Sequence, residues 1–311
     1  MASSYRYLFG PVPSRRLGRS LGIDGTPFKT CSFDCVFCQC GCTTRLISER
    51  EELVPIEEVC GEIEQWLKED GIADCITFAG SGEPTLYSRL GELIDFIKAR
   101  TAIPVIVLTN GTLLHRIAVR DELLNADVVK ISLSAWDDDS LKKLNRPAPG
   151  LTFDQMLAGH RDFRAEFAGK LWLEVFLVDG INANPNQVRK IAAAAAGIRP
   201  DKIHLNTAVR PPAETNVQPV TKEALDALCR LFTPQAELMA TFTTETGITP
   251  NVDGEKLIAL LRRHPATIIQ LAATFGTTPD AVAPLLTDPR IQKELRGEET
   301  YYTVMPHKKT V

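Results

Sequence analysis

The sequence predicts an α/β fold built on a mostly parallel sheet, and three observations predict it. Between about residues 20 and 210, short apolar runs alternate with amphipathic stretches. Several runs are almost continuous Ile, Val, Leu and Phe, the composition of parallel strands covered on both faces. Of the 311 residues, 44% are apolar and 24% charged, so the chain can bury a substantial core.

The first candidate strand is "SLGID" (20–24). "PIEEVCGEIEQWLKED" then repeats apolar residues at helical spacing through Ile56, Val59, Cys60, Ile63, Trp66 and Leu67, with acids opposite. "CITFAG" (75–80), "VIVLTN" (105–110), "VVKISLS" (128–134), "LWLEVFLV" (171–178) and "KIHLNT" (202–207) read as further strands. Helical patterns fall at "SRLGELIDFIKAR" (88–100), "TLLHRIAVRDELLN" (112–125) and "NPNQVRKIAAAAAG" (184–197). Six strands with trailing helices make a (β/α)6 arrangement, by pattern alone either a partial barrel or an open sheet. "RPPAETNVQP" (210–219) is a Pro-rich connector before a helix near 221–232. From about 252, "GEKLIALLRRH", "TIIQLAATFG" and "TPDAVAPLLTD" give three short helical units, and "ETYYTVM" reads as a strand. Thr278, Pro279 and Asp280 supply an N-cap, a first helical position and a first-turn acid. Three helices and a terminal β element suggest a winged-helix module. The expected organisation is an N-terminal extension (1–19), an α/β unit (20–212), a connector with a helix (213–250) and a winged-helix-like domain (251–311).

Composition narrows the function classes. No apolar run approaches the ~20 residues a membrane span needs. The first residues lack the apolar core of a secretory signal, so a cytoplasmic location without membrane contact is expected. A net charge of −4 argues against a general basic field for nucleic acid. From Asn251 to Val311 there are eight basic and seven acidic residues, and "TPDAVAPLLTD" holds two aspartates and no lysine or arginine. A DNA-reading helix needs phosphate and base-edge donors. DNA is therefore not an expected partner. The module is expected to pack on the α/β unit, cover its mouth or dock a protein.

Five of eight cysteines fall within "CSFDCVFCQCGC" (31–42). In a reducing compartment such clustering points to metal or catalysis rather than disulfides. Cys31, Cys35 and Cys38 form C-x3-C-x2-C after the first strand, a spacing that suits iron–sulfur clusters or zinc. A zinc knuckle would recruit Cys40 or Cys42, but structural zinc sites usually add a distant second pair, and none is evident. Three close thiolates suit a four-iron cubane with one iron free of protein ligands. Cys40 and Cys42 leave a second cluster or a persulfide open, while Cys60, Cys75 and Cys229 read as packing residues.

With Phe37 before its third cysteine, the C-x3-C-x2-C pattern resembles the radical S-adenosylmethionine (radical SAM) superfamily. "GSGEPTLY" resembles that superfamily's Gly-Glu-Pro segment, and the (β/α)6 pattern is similar to its partial TIM-like barrel. "GPVPSRRLGRSLGIDGTPFKTC", "NRPAPGLTFDQ", "LWLEVFLVDGIN" and "LNTAVRPPAE" resemble an Fe–S oxidoreductase subgroup with a C-terminal winged helix. The resemblance implies a [4Fe-4S] cluster on Cys31, Cys35 and Cys38. S-adenosylmethionine would chelate the open iron through its amino and carboxylate groups. Reductive cleavage would yield a 5′-deoxyadenosyl radical that abstracts hydrogen from substrate. An electron donor such as flavodoxin or ferredoxin is implied. The substrate stays open between a protein or peptide side chain, a tRNA base and a glycyl-radical enzyme awaiting activation; methyl or sulfur transfer stays open too. The chain's acidity disfavours the tRNA. The rival reading is an Fe–S or zinc sensor acting through its winged helix, against which the acidic helix and elaborate α/β core both count.

The resemblance also gives the Ser81-Gly82-Glu83 backbone, after Gly80, the methionine amino group, although Ser81 stands where the superfamily often has glycine. Strand ends carry the chemistry in parallel barrels, which nominates Asn110, Lys130, Ser132, Ser134, Glu174 and Asn206. Each has a bland alternative as a cap or buried hydrogen-bonder. Ser132 and Asn206 are the first candidates for ribose or adenine. Lys130, in an apolar strand, needs a partner: a methionine carboxylate, Asp127 or Glu174. Arg15, Arg16, Arg146 and Arg210, in loops beside prolines, are candidates for an anionic substrate or the cofactor carboxylate. Residues 1–20 or the C-terminal module are expected to cover part of the barrel mouth.

Overall fold

The computed structural model describes residues 5–14, 18–238, 254–296 and 298–304. Strands β1 (Leu8–Ser14) and β2 (Gly18–Ile23) pair antiparallel at one edge of an eight-stranded sheet. Pro11 and Pro13 obscure β1 in the sequence, but an edge strand tolerates the missing donors. From β2 onward every pairing is parallel, through β5 (Cys75–Phe78), β6 (Val105–Thr109), β7 (Val128–Ser132), β8 (Lys170–Leu177), β9 (Lys202–Thr207) and β10 (Glu237–Leu238). The short strands β3 (Thr30–Cys31) and β4 (Arg45–Leu46) pair with each other in the loop after β2. The large sheet ends at β1 and β10, so it is open.

Helices α1 (Ile56–Glu69), α2 (Leu90–Lys98), α3 (Ile117–Leu123), α4 (Asp138–Leu144), α5 (Phe153–Glu166), α6 (Pro185–Ile198) and α7 (Lys222–Cys229) link these strands. Their starts are chemically marked. Asp137 and Ser140 form a capping box on α4, Thr152 caps α5, and Asn184 with Pro185 opens α6. Helices α4 and α5 are absent from the sequence reading. The buried stripe of α5 includes Gly159 and His160, which blurs its apolar period.

The pleat separates two environments. Leu171, Leu173, Val175 and Leu177 of β8 are fully buried in the main core, as are Val129 and Ile131 of β7. The alternate residues face the other way, which corrects the expectation of two apolar faces. On that second face Cys75, Ile106 and Val128, with Trp172 and Leu108, form a small apolar floor. Above it lie Thr77, Lys130, Ser132, Glu174, Phe176 and Asn206, which line one cavity with contributions from all six strands β2 and β5–β9.

After α7 and β10, the C-terminal part runs α8 (Gly254–Arg263), β11 (Ala266–Thr267), α9 (Ile268–Thr274), α10 (Pro279–Val282), β12 (Gln292–Arg296) and β13 (Glu299–Thr303). Its small antiparallel sheet has the order β11-β13-β12. Leu257, Leu261, Leu271, Val282 and Leu286 form its core, and Phe9 and Val12 of β1 pack against it. Strand β1 is thus shared between the large sheet and this core.

His160 carries a pH prediction. Complete burial pulls its pKa from the usual 6.5 down to about 4, with the nearby Gly111 backbone opposing the shift. The unfolded chain takes up a proton below about 6.5 while the folded chain stays neutral until about 4. Stability therefore falls as pH drops through that window and levels off beneath it, by up to about 3 kcal/mol. Urea midpoints at pH 7 and pH 5 are expected to differ less in His160→Gln than in the parent. Equal acid sensitivity of the two would contradict this.

Candidate active site

The loop after β2 carries the cysteines over the C-terminal ends of the strands. It is pinned locally: Cys38 N donates to Cys35 O (3.1 Å), Gly41 N to Cys38 O (3.1 Å) and Asp34 N to Asn145 O (2.8 Å). Cys31, Cys35 and Cys38 are half-buried and line the same cavity, of about 430 Å³. Each sulfur receives a nitrogen donor. Phe33 N (3.4 Å) and Asn110 Nδ2 (3.7 Å) reach Cys31, Asn145 Nδ2 reaches Cys35 (3.2 Å) and Lys29 Nζ reaches Cys38 (3.1 Å). Donors aimed at sulfur stabilise thiolates and tune a bound metal centre.

The thiols differ in acidity. Burial, with the Glu83 charge, pushes Cys31 up to about 12. Burial and the neighbouring Cys38 and Cys31 raise Cys35 well above the usual thiol range. The Cys40 thiol and the Lys29 ammonium hold Cys38 well below that range, against burial. Cys38 is thus the most acidic thiol of the set, and added positive charge would favour ionisation of the other two. Cys40 is buried, with its sulfur within reach of Gly80 O (3.8 Å) and Arg263 O (3.2 Å), whereas Cys42 is exposed. Among the described residues no three His, Cys, Asp or Glu side chains converge as a single metal ion would require.

Facing the thiols is the turn Gly80–Glu83. A Cβ at Gly80 would lie 2.2 Å from Asp24 Cγ, and one at Gly82 would lie 2.2 Å from Thr30 O, so both positions need glycine for close approach. Glu83 N donates to Thr30 O (3.1 Å). The Glu83 carboxylate, 2% exposed, accepts from Thr85 N (3.0 Å), Thr85 Oγ1 (2.6 Å), Thr109 Oγ1 (2.5 Å) and Asn110 N (2.7 Å). Burial raises its pKa, and those donors oppose the rise. Glu83 thus locks the turn to the end of β6, and Asn110 relays the lock to Cys31 and to Ser32 Oγ (2.9 Å).

On the cavity wall Lys130 Nζ donates to Glu174, the protein partner that the sequence left open. Burial pushes the Glu174 pKa up, but Lys130, His204 and Asn206 outweigh it and hold the group ionised below the usual range. Ser132 and Asn206 also line the cavity, and Phe37 stacks on Phe176 at 4.2 Å between centroids. Arg210 lines it while donating to Gln39 Oε1 (2.8 Å).

Several nominated residues sit elsewhere. Ser134 is buried, with its Oγ accepting from Phe176 N (3.0 Å), and lies outside the cavity. The cause is that β7 ends at Ser132, so the pleat no longer carries position 134 inward. The Ser81 side chain turns away to Asp24 (3.0 Å), leaving Gly80, Gly82 and Glu83 as the lining members of the turn. Arg146 pairs with Glu214 away from the cavity. Arg15 and Arg16 lie outside the described residues. The sequence reading missed Lys29, Asp24, Phe9 and His264. Arg263 was not singled out there either. Lys29, two residues before Cys31, carried a local signal; the others did not.

A model of the radical SAM superfamily matches residues 26–194, over half of the chain. The chain belongs to the radical SAM superfamily. That matched stretch holds the three thiols, the Gly80–Glu83 turn and strands β5–β8 of this radical SAM protein. It is 33% identical to a UPF0026 protein of Methanocaldococcus jannaschii over 83% of this chain and 82% of that one. A Helicobacter pylori UPF0026 protein is 30% identical over 97% of this chain and 92% of its own length. A Brachyspira hyodysenteriae protein named GTPase Obg is 36% identical over 90% of this chain, which spans only 42% of that longer protein. Among solved structures, a radical SAM methyltransferase from Sphaerobacter thermophilus superposes with TM-score 0.53 at 19% identity, over 70% of this chain and 65% of its own. TYW1 with a lysine-pyruvate adduct bound gives 0.52 at 19% identity, over 70% and 74%. At such identities these structures show a shared fold. Superfamily membership supports an enzyme with S-adenosylmethionine cleavage chemistry.

Proposed function

We propose that this radical SAM enzyme holds one [4Fe-4S] cluster on Cys31, Cys35 and Cys38 and cleaves S-adenosylmethionine reductively to abstract hydrogen from a substrate. The observation that carries the reading is three cavity-facing sulfurs, each with its own nitrogen donor, opposite the clamped Gly80–Glu83 turn. Three sulfurs at this spacing suit a cubane, whereas a single tetrahedral ion would call for a fourth protein ligand. A cluster held by Cys31, Cys35 and Cys38 would supply the electron for reductive cleavage of S-adenosylmethionine, and that cleavage would provide the hydrogen-abstracting power.

The chain's own residues orient and shield. Glu83 keeps the turn rigid, so its backbone meets the methionine amino group without reorganising. Gly80 and Gly82 let that backbone approach closely. Ser132 and Asn206 offer hydroxyl and amide groups to ribose or adenine, with the stacked Phe37 and Phe176 excluding water beside them. The Lys130–Glu174 pair presents a compensated charge to the methionine carboxylate end.

The order helix, strand, two helices and two strands, with its antiparallel sheet, supports a winged-helix reading of the C-terminal part. Because α10 and the turn after it carry no basic residue, this module serves as a cover for the cavity, which Arg263 and His264 line, rather than as a DNA reader. No helix among the described residues is long and apolar enough to cross a membrane. A protein or peptide side chain is the preferred substrate class and a tRNA base the second. Flavodoxin or ferredoxin is the proposed electron donor, in the cytoplasm. Anaerobic reconstitution with iron and sulfide, then dithionite and S-adenosylmethionine, should yield 5′-deoxyadenosine and methionine. A protein that takes up iron and sulfide yet never forms 5′-deoxyadenosine would refute the reading.

A further inference from the structure

We propose that Arg263 of the C-terminal module is a positioning residue for the Gly80–Glu83 turn, so that this module completes the S-adenosylmethionine site. The inference rests on the radical SAM reading above. It concerns residues that the superfamily match, 26–194, does not reach on the C-terminal side.

The junction centres on Asp24, just after β2 and 4% exposed. Its Oδ2 accepts from Ser81 N (3.2 Å), Ser81 Oγ (3.0 Å) and Arg263 Nε (2.7 Å), and its Oδ1 accepts from Thr26 Oγ1 (3.0 Å). The first two bonds hold the proposed cofactor turn. A carboxylate this buried keeps its charge only with a counter-ion and a full set of donors. The counter-ion arrives from residue 263, at the end of α8.

Arg263 is itself held from several sides. Nη1 donates to Ala259 O (3.0 Å) and Nη2 to Arg6 O (3.2 Å), and the guanidinium sits 5.4 Å from the centroid of the Phe9 ring. Its carbonyl lies 3.2 Å from the Cys40 sulfur, two residues after Cys38. One side chain and one carbonyl therefore join the end of β2, the N-terminal hairpin, the cysteine loop and α8. The planar fork makes three directed bonds at once, which a lysine ammonium on a flexible stem matches poorly. Without the guanidinium, Asp24 must draw in water or swing outward, and either change loosens its hold on Ser81 and on the turn.

The test uses the full-length chain, loaded anaerobically, with iron and sulfide measured and matched before binding. The readout is the Kd for S-adenosylmethionine on the unreduced protein, so no turnover is involved. Arg263→Met should weaken binding about tenfold or more, the size of one lost charge-assisted hydrogen bond. Arg263→Lys should fall between. The double variant Asp24→Asn/Arg263→Met should recover most of the loss, because the amide oxygen still accepts from Ser81 and no buried charge is left unpaired. A module that is merely glued on predicts the opposite: Arg263→Met lowers thermal stability but leaves the Kd unchanged, or the double variant binds no better than the single one. Either result overturns the proposal. Should Arg263→Met fail to load iron, Arg263→Lys and the double variant carry the same comparison. A parent protein that holds the cluster and binds no S-adenosylmethionine would sink the radical SAM reading itself, and this inference with it.

Discussion

Cys35→Ala is expected to strip the reconstituted protein of nearly all iron and acid-labile sulfide and to abolish 5′-deoxyadenosine formation. Cys35 lies deep in the loop, held by Asn145, with its thiol acidity suppressed by burial and by Cys38 and Cys31. A cationic metal centre would favour its thiolate form, so its contribution is greatest in the loaded state. Removing it leaves two protein ligands for a cubane that needs three. The contrast with the outer cysteines makes the experiment decisive. Cys42 is exposed, and the single S–H of Cys40 has Cys38 and the Gly80 and Arg263 carbonyls as alternative acceptors, so Cys42→Ala and Cys40→Ser should retain most of their iron. A zinc knuckle would lose metal in one of these as readily as in Cys35→Ala. Iron and sulfide per chain separate the two; full iron in Cys35→Ala, or metal loss in Cys42→Ala, overturns the three-thiol assignment.

Glu83→Ala should destabilise the fold by about 2–6 kcal/mol and weaken S-adenosylmethionine binding by more than about tenfold. The carboxylate satisfies Thr85 N, Thr85 Oγ1, Thr109 Oγ1 and Asn110 N in a fully buried site. A methyl group leaves two backbone donors orphaned, each costing about 1–3 kcal/mol, while the hydroxyls can rotate. Glu83→Gln retains one acceptor oxygen but points an NH2 at a backbone N–H, whichever way the amide is turned, and should fall midway. Melting temperature and equilibrium Kd report the two effects separately. A stable Glu83→Ala protein with parental affinity would show that the turn is held by something else.

How much of this was legible in one dimension follows from the range of each interaction. All six predicted barrel strands occur, because parallel strands buried in a core are apolar runs bounded by turn residues. The cysteine trio was legible because its ligand spacing spans only eight residues of one loop. The strand-end rule likewise nominated Lys130 and Ser132, which line the cavity. The same rule misplaced Ser134, because strand length, not sequence parity, decides where the pleat stops. Strand β1 was hidden by its prolines, and α5 by a histidine and a glycine in its buried stripe.

The sequence by itself determined the α/β alternation, the thiol spacing and the Gly-Glu-Pro turn, since each depends on neighbours a few residues apart. Only the tertiary structure decided that Lys130 meets Glu174, that Asp24 holds Ser81 and that Arg263 closes on Asp24. Asp24 and Arg263 are 239 positions apart. Opposite charges at that separation have dozens of alternative partners in the chain, and only the packing of β1 against both cores brings this pair together out of water.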